Sequence, residues 1–101
     1  RLQHSELRFL EIARALMLEP DFLLLDEPAA GLSAAEIEHL GRLIRAIRDR
    51  GVGVLLVEHH ADMIFDVCDR VSVLNLGREL AAGTPAEIRA HREVVSAYLG
   101  G

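Results

Sequence analysis

The sequence predicts an α/β fold with a largely parallel sheet, and three observations point there. Short apolar runs alternate with longer amphipathic stretches along the chain. The run Phe22-Leu23-Leu24-Leu25 is continuous and meets two acids, Asp26-Glu27, as expected of a strand buried on both faces. Two stretches open with capping boxes, Ser33 with Glu36 and Thr84 with Glu87, each pairing a hydroxyl with a carboxylate three residues on.

The elements follow in order. Between Glu6 and Leu18 the apolar residues Phe9, Leu10, Ala13, Leu16 and Met17 form a helical stripe, and Pro20 ends it. After the strand, Pro28 to Leu32 is a loop, and Ser33 caps a helix with Ile37, Leu40, Ile44 and Ile47 on one face. Gly51 closes that helix, and Arg45, Arg48 and Arg50 complement its dipole. Val52 to Val57 is the second strand, followed by Glu58-His59-His60. A short helix covers Ala61 to Cys68, Val71 to Leu76 is the third strand, and Gly77-Arg78 turns the chain into Glu79-Leu80-Ala81-Ala82. Thr84-Pro85-Ala86-Glu87 opens two short helical pieces that run to Leu99.

Composition narrows the function. The chain has 101 residues, enough for one domain or part of one, with a thin stability margin. Its 16 acidic residues outnumber 11 basic ones, for a formal charge of -5, which argues against a nucleic-acid surface. Cys68 is the single cysteine; it cannot form an internal disulfide and is expected to pack as a small apolar residue. No apolar run approaches the roughly 20 residues of a membrane-spanning helix, and no signal peptide is visible. The first residue is Arg1 rather than Met, from which an N-terminal portion is expected to be missing.

The residues able to do chemistry gather at strand ends. Asp26 and Glu27 follow an apolar strand, and the carboxyl edge of an open α/β sheet is where such folds bind ligands. An aspartate there can hold Mg²⁺ through water beside nucleotide phosphates, and a glutamate can polarise an attacking water. Each acid alone also fits a polar strand terminus. His59 lies just past the second strand and can reach the same edge, although the His59-His60 pair is weak evidence for a metal.

Taken together, the ordered segments resemble the C-terminal half of an ABC transporter ATP-binding subunit. Phe22-Leu23-Leu24-Leu25-Asp26 matches the Walker B segment, Glu27 the catalytic glutamate, and His59 the switch histidine that contacts the γ-phosphate. Ala30-Gly31-Leu32-Ser33 matches the loop through which paired subunits communicate, and Leu2-Gln3-His4-Ser5-Glu6 occupies the place of the signature motif. The subfamily resemblance is to branched-chain amino-acid uptake, with urea or short amides close by. It rests on Leu10 to Leu16, Val57-Glu58-His59-His60, Cys68-Asp69-Arg70-Val71, Val73-Leu74-Asn75, Gly83 to Glu87 and Ala97-Tyr98-Leu99-Gly100. The implied domain is a partial P-loop NTPase, an ABC ATPase domain without its phosphate-loop strand. It has the signature at 2–6, Walker B at 22–27, the switch-histidine strand at 52–59, and C-terminal strands and helices at 70–101.

The resemblance implies ATP and Mg²⁺ as ligands, with Asp26 at the metal and Leu2, Gln3, His4, Ser5, Glu6 and Ser33 at nucleotide shared with a partner subunit. It implies a second ATP-binding subunit in a homo- or heterodimer, membrane-spanning permease subunits, a solute-binding protein acting indirectly, and a place at the cytoplasmic face of the cell membrane. The sequence departs from the pattern at Gln3, at His4 and Ser5 in place of two glycines, at Glu6 in place of glutamine, and at Ser33 where many relatives have aspartate. These changes imply weaker sandwiching of ATP. The phosphate-loop pattern Gly-x-x-x-x-Gly-Lys-[Ser/Thr] does not occur in the 101 residues, so the chain by itself is expected to be inactive. Loss of the intervening strand would leave inner edges on 52–57 and 71–76, to be closed by pairing with each other or by self-association. The alternative function is a non-catalytic fragment that associates with a full-length ABC subunit. A small metal hydrolase using Asp26, Glu27, His59 and His60 is a more remote reading.

Overall fold

The computed structural model describes residues 4–99, excluding the side chains of His4, Tyr98 and Leu99. Helix α1 spans His4–Leu16, strand β1 Phe22–Asp26, α2 Ala34–Asp49, β2 Gly53–Val57, α3 Ala61–Val67, β3 Val71–Asn75, β4 Arg78–Gly83, α4 Pro85–Ala90 and α5 Arg92–Val94, with a π-helical turn over Val95–Leu99. The chain divides into two compact units, residues 1–63 and 64–101.

In the first unit β1 and β2 run parallel, with Phe22 opposite Gly53 and Asp26 opposite Val57. Helix α1 ends at Leu16, two residues before the sequence expectation, because Glu19 turns left-handed (φ 50) and breaks the helical path ahead of Pro20. Ser33 caps α2 with both halves of its capping box: its hydroxyl accepts from the Glu36 N–H, and Glu36 accepts from the Ser33 N–H. The helix ends where Gly51 adopts φ 94, a conformation glycine takes without a steric penalty. Leu40, Ile44 and Ile47 of α2 are buried, as are Ile12 of α1 and Leu23 and Leu25 of β1.

Burial of β1 on both faces is not found. Leu23 and Leu25 are covered, but Phe22 and Leu24 stand exposed, beside the exposed Leu55 and Val57 of β2. Strand side chains alternate across the sheet, so covering one face of this ladder leaves every second apolar residue in solvent.

The second unit is a hairpin with helices. β3 and β4 pair antiparallel, Val71 opposite Gly83 and Asn75 opposite Arg78, with an irregularity between Val73 and Leu74. The turn is Leu76-Gly77, both with positive φ (52 and 77), the mirror-image geometry that matches strand twist in two-residue hairpins. Sequence reading left Glu79 to Ala82 without an element because its small and charged residues carry little strand preference; pairing with β3 makes it strand β4. Of the two closures expected for the inner edges, pairing of 52–57 with 71–76 is not found, since β2 and β3 belong to separate two-stranded sheets. β3 pairs instead with β4, the segment one two-residue turn away, which is the shortest connection an antiparallel pair allows. Cys68 is half-buried just beyond α3.

Thr84 caps α4 in the same reciprocal way as Ser33 caps α2, with Pro85 at the first helical position. Hydrogen bonding from the Thr84 backbone N–H, then from its hydroxyl, with a smaller contribution from the Arg70 charge, holds the Glu87 carboxyl below its ordinary 4.5. Arg89 lies over the Phe65 ring, 4.7 Å from its centre.

Two outcomes follow from this packing. Leu40→Ala should cost about 2–5 kcal/mol in urea denaturation, while Leu24→Ala, on the uncovered face, should stay within about 0.5 kcal/mol. A carboxyl with a depressed folded value stabilises above its unfolded value and loses that contribution as pH falls through the folded one. Helical carbon shifts over residues 84–90 should therefore persist at neutral pH and decline once acid passes below 4.5. In Glu87→Gln that carboxyl-linked step should vanish.

Candidate functional site

The site grows out of the carboxyl ends of the two parallel strands. Because Asp26 pairs with Val57, both strands finish level, and the ladder extends one bond further, from the Glu27 N–H to the Val57 carbonyl at 2.7 Å. Asp26 is exposed at that edge. Alternation by itself would carry Glu27 to the covered side with Leu23 and Leu25. Instead Glu27 is left-handed, φ 46, which takes it out of strand geometry and leaves its side chain 52% exposed. For a residue with a Cβ that conformation costs roughly 1–2 kcal/mol.

The left-handed turn brings the Glu27 Oε1 to 3.0 Å from His59 Nδ1. An ionised Glu27 can only accept in this contact, which calls for the proton at Nδ1 and leaves Nε2 as the ring's other hydrogen-bonding atom. The pair is open to water, with His59 80% exposed. A carboxylate and an imidazole held this way can orient a water and take its proton.

Glu58, between strand and histidine, has the opposite environment. Its side chain is 1% exposed, since Val54, Leu56 and Glu58 share the inward side of β2 while Leu55, Val57 and His59 face out. Its Oε2 accepts from the Ala29 N–H and its Oε1 from the His59 N–H, both at 3.0 Å. Oε1 also lies 3.7 Å from His59 Nδ1. Across the loop, Arg8 of α1 donates from Nη1 to the carbonyls of Pro28 and Glu27 (3.4 Å for the latter), and from Nη2 to that of Ala30 at 3.4 Å. The loop closes with Ala30 N–H to the Glu27 carbonyl and Leu32 N–H to that of Ala29, both 3.1 Å.

The sequence-predicted residues do not all converge. Glu27 and His59 touch, and Asp26 adjoins them in the chain. Ser33 spends its hydroxyl on the α2 cap. Ser5 is buried in the first turn of α1, and Glu6 is exposed there; neither is a partner of Glu27 or His59 among the described residues. Leu2 and Gln3 lie outside the described residues, as does the side chain of His4. His60 accepts at Nδ1 from the Met63 N–H at 3.3 Å and so caps α3. No cluster of three His, Cys, Asp or Glu side chains suited to a metal ion occurs among the described residues. Sequence reading gives Glu58 only a place in the subfamily resemblance, with no role, and does not single out Arg8. Alternation along 54–58 could have placed Glu58 inward, whereas nothing local marks Arg8, whose partners lie about 20 residues away.

With this geometry in place, similarity to known proteins decides the class. In the ADP conformation of MJ1267, an ATP-binding cassette of an ABC transporter, the fold matches with a TM-score of 0.86 and 26% identity. The match covers 100% of this chain and 41% of that one. The chain has the ABC ATPase fold. Residues 78–101 match the family described as branched-chain amino acid ATP-binding cassette transporter. The high-affinity branched-chain amino acid transport ATP-binding protein LivG of Salmonella typhimurium is 44% identical over 100 residues, 98% of this chain and 39% of LivG. The lipopolysaccharide export system ATP-binding protein LptB of Haemophilus influenzae is 39% identical over 99 residues, 98% of this chain and 41% of LptB. The chain thus spans about two fifths of the length of the curated relatives it matches. None of the helices among the described residues is long and apolar enough to cross a membrane.

The left-handed backbone at Glu27 carries its own test. Glu27→Ala and Glu27→Gly both remove the carboxylate, yet only glycine fits φ 46 freely. The alanine variant should be less stable than the glycine variant by about 1 kcal/mol in urea titration.

Proposed function

We propose that this chain supplies the metal-binding and water-activating edge of an ATP-hydrolysing site in an ABC transporter ATP-binding subunit, one that drives branched-chain amino-acid uptake. The observation that carries the proposal is the 3.0 Å contact between Glu27 and His59 at the level ends of two parallel strands. It joins the two residues that motif matching names independently.

In this reading Glu27 orients and deprotonates the attacking water. His59, its tautomer set by Glu27, presents Nε2 toward the γ-phosphate. Asp26 would hold Mg²⁺, and its exposed carboxylate fits an ion that keeps most of its waters. Bound there, the ion would supply charge neutralisation on the phosphates, and the chain's own contribution is positioning and electrostatic stabilisation. Residues 2–6 and Ser33 face the nucleotide of a partner subunit. Permease subunits and a solute-binding protein complete the transporter, at the cytoplasmic side of the membrane. The family match over 78–101 favours branched-chain amino acids over lipopolysaccharide as cargo.

The test replaces the matched segment of Salmonella LivG with residues 1–101 and measures Mg²⁺-dependent ATP turnover beside that of the 101-residue chain alone. The chimera should hydrolyse ATP and the isolated chain should not. Glu27→Gln should lower turnover in the chimera by about a hundredfold or more, with ATP still bound. A folded, ATP-binding chimera whose turnover is indifferent to Glu27→Gln would sink the proposal.

A further inference from the structure

Two residues to which the motif matches assign no role converge on the loop that follows Glu27. Glu58 takes its N–H side: the buried carboxylate accepts from Ala29 with one oxygen and from His59 with the other. Arg8 takes its C=O side, reaching the carbonyls of Glu27, Pro28 and Ala30 through two guanidinium nitrogens. The segment between them contains the left-handed Glu27. Its other restraints include the ladder bond to Val57 and its own turn bonds.

We propose that Glu58 and Arg8 form a two-sided clamp that keeps Glu27 in its left-handed turn and so fixes the Glu27–His59 contact. Both are positioning residues; this rests on the role of Glu27 and His59 given above. Glu58 acts at both ends of that contact, because the same carboxylate anchors the His59 backbone and the loop carrying Glu27. Arg8 ties the loop to α1. A planar fork spans several carbonyls at once, which a lysine ammonium cannot reproduce in that geometry.

The clamp can be tested on the 101-residue chain without nucleotide. Nitrogen NMR of His59 reports which ring nitrogen holds the proton, and amide exchange at Ala29 and His59 reports the Glu58 bonds. Wild type should show His59 protonated at Nδ1. Glu58→Gln keeps one acceptor oxygen, so exchange should rise at least about tenfold at one of the two amides. The His59 signal should shift toward the mixture of a free imidazole. Arg8→Gln should produce the same His59 change, and Arg8→Lys should restore it only in part. Arg42→Gln removes a guanidinium that pairs with Glu38 on the exposed side of α2 and should leave His59 unchanged.

Exchange at Leu40 and Ile44 monitors global folding. If Glu58→Gln unfolds the first unit, Arg8→Lys, which keeps the charge, decides in its place. Wild-type His59 signals and Ala29 exchange in folded Glu58→Gln and Arg8→Gln chains would overturn the clamp. An equal response to Arg42→Gln would overturn it too. In the LivG chimera both clamp variants should lower kcat by about tenfold with KM for ATP unchanged. A chimera with no turnover to begin with would defeat the functional reading, and the NMR result would still decide the clamp.

Discussion

The hydrogen bond from the Glu27 N–H to the Val57 carbonyl sets the position of everything chemical in the first unit. Five residue pairs of β1 and β2 lie in register below it, so the strands cannot slip without flipping every side chain to the other face. Extending the ladder by this one bond places residue 27 beside the end of β2, and the two residues after Val57 divide their roles by alternation. Glu58 turns inward and His59 outward. A parallel pair in another register would carry the same motifs and still separate Glu27 from His59.

Loops that pass close to a core must satisfy their backbone groups without a ladder. Pro28 and Ala29 are buried, and the polar groups of this stretch find partners in side chains from two other elements: Glu58 for an N–H and Arg8 for carbonyls. Proline at position 28 reduces the demand, since it brings no N–H. Further along, Ser33 and Glu36 satisfy the first turn of α2. From 27 to 36 the chain thus passes from strand to helix with side chains in place of sheet bonds.

How much of this was legible in the sequence depends on the range over which each feature is determined. Both capping boxes, the burial of Leu40, Ile44 and Ile47, and the strands at 22 and 53 follow from spacing within a few residues, and the structure has them. Strand-end position brings Glu27 and His59 to one sheet edge, and motif matching gives them roles, but nothing in the local pattern of either predicts a contact across 32 residues. The exposed Phe22 and Leu24 show the limit of reading an apolar run as a strand covered twice. The run specifies what the strand prefers, and the second cover must come from another element. Strand β4 was illegible for a related reason: its residues have little intrinsic preference and owe their conformation to β3. Arg8 was hidden because a helical arginine normally reads as a solvated face.

Magnitudes decide which way causation runs at the site. An exposed ion pair contributes about 0–1 kcal/mol at most, and both members of the Glu27–His59 pair are more than half exposed. The left-handed backbone that makes the contact possible costs roughly 1–2 kcal/mol. The side-chain contact therefore cannot hold the turn; the turn must be held by something else and the contact follows from it. The Glu58 carboxylate accepts from the Ala29 and His59 N–H groups at 3.0 Å, bonds of the kind worth about 1.5–3 kcal/mol each, while Arg8 adds longer contacts to the loop carbonyls. In the proposed clamp the solvent-open pair takes its geometry from groups behind it, the Glu58 carboxylate, 1% exposed, and the half-buried Arg8.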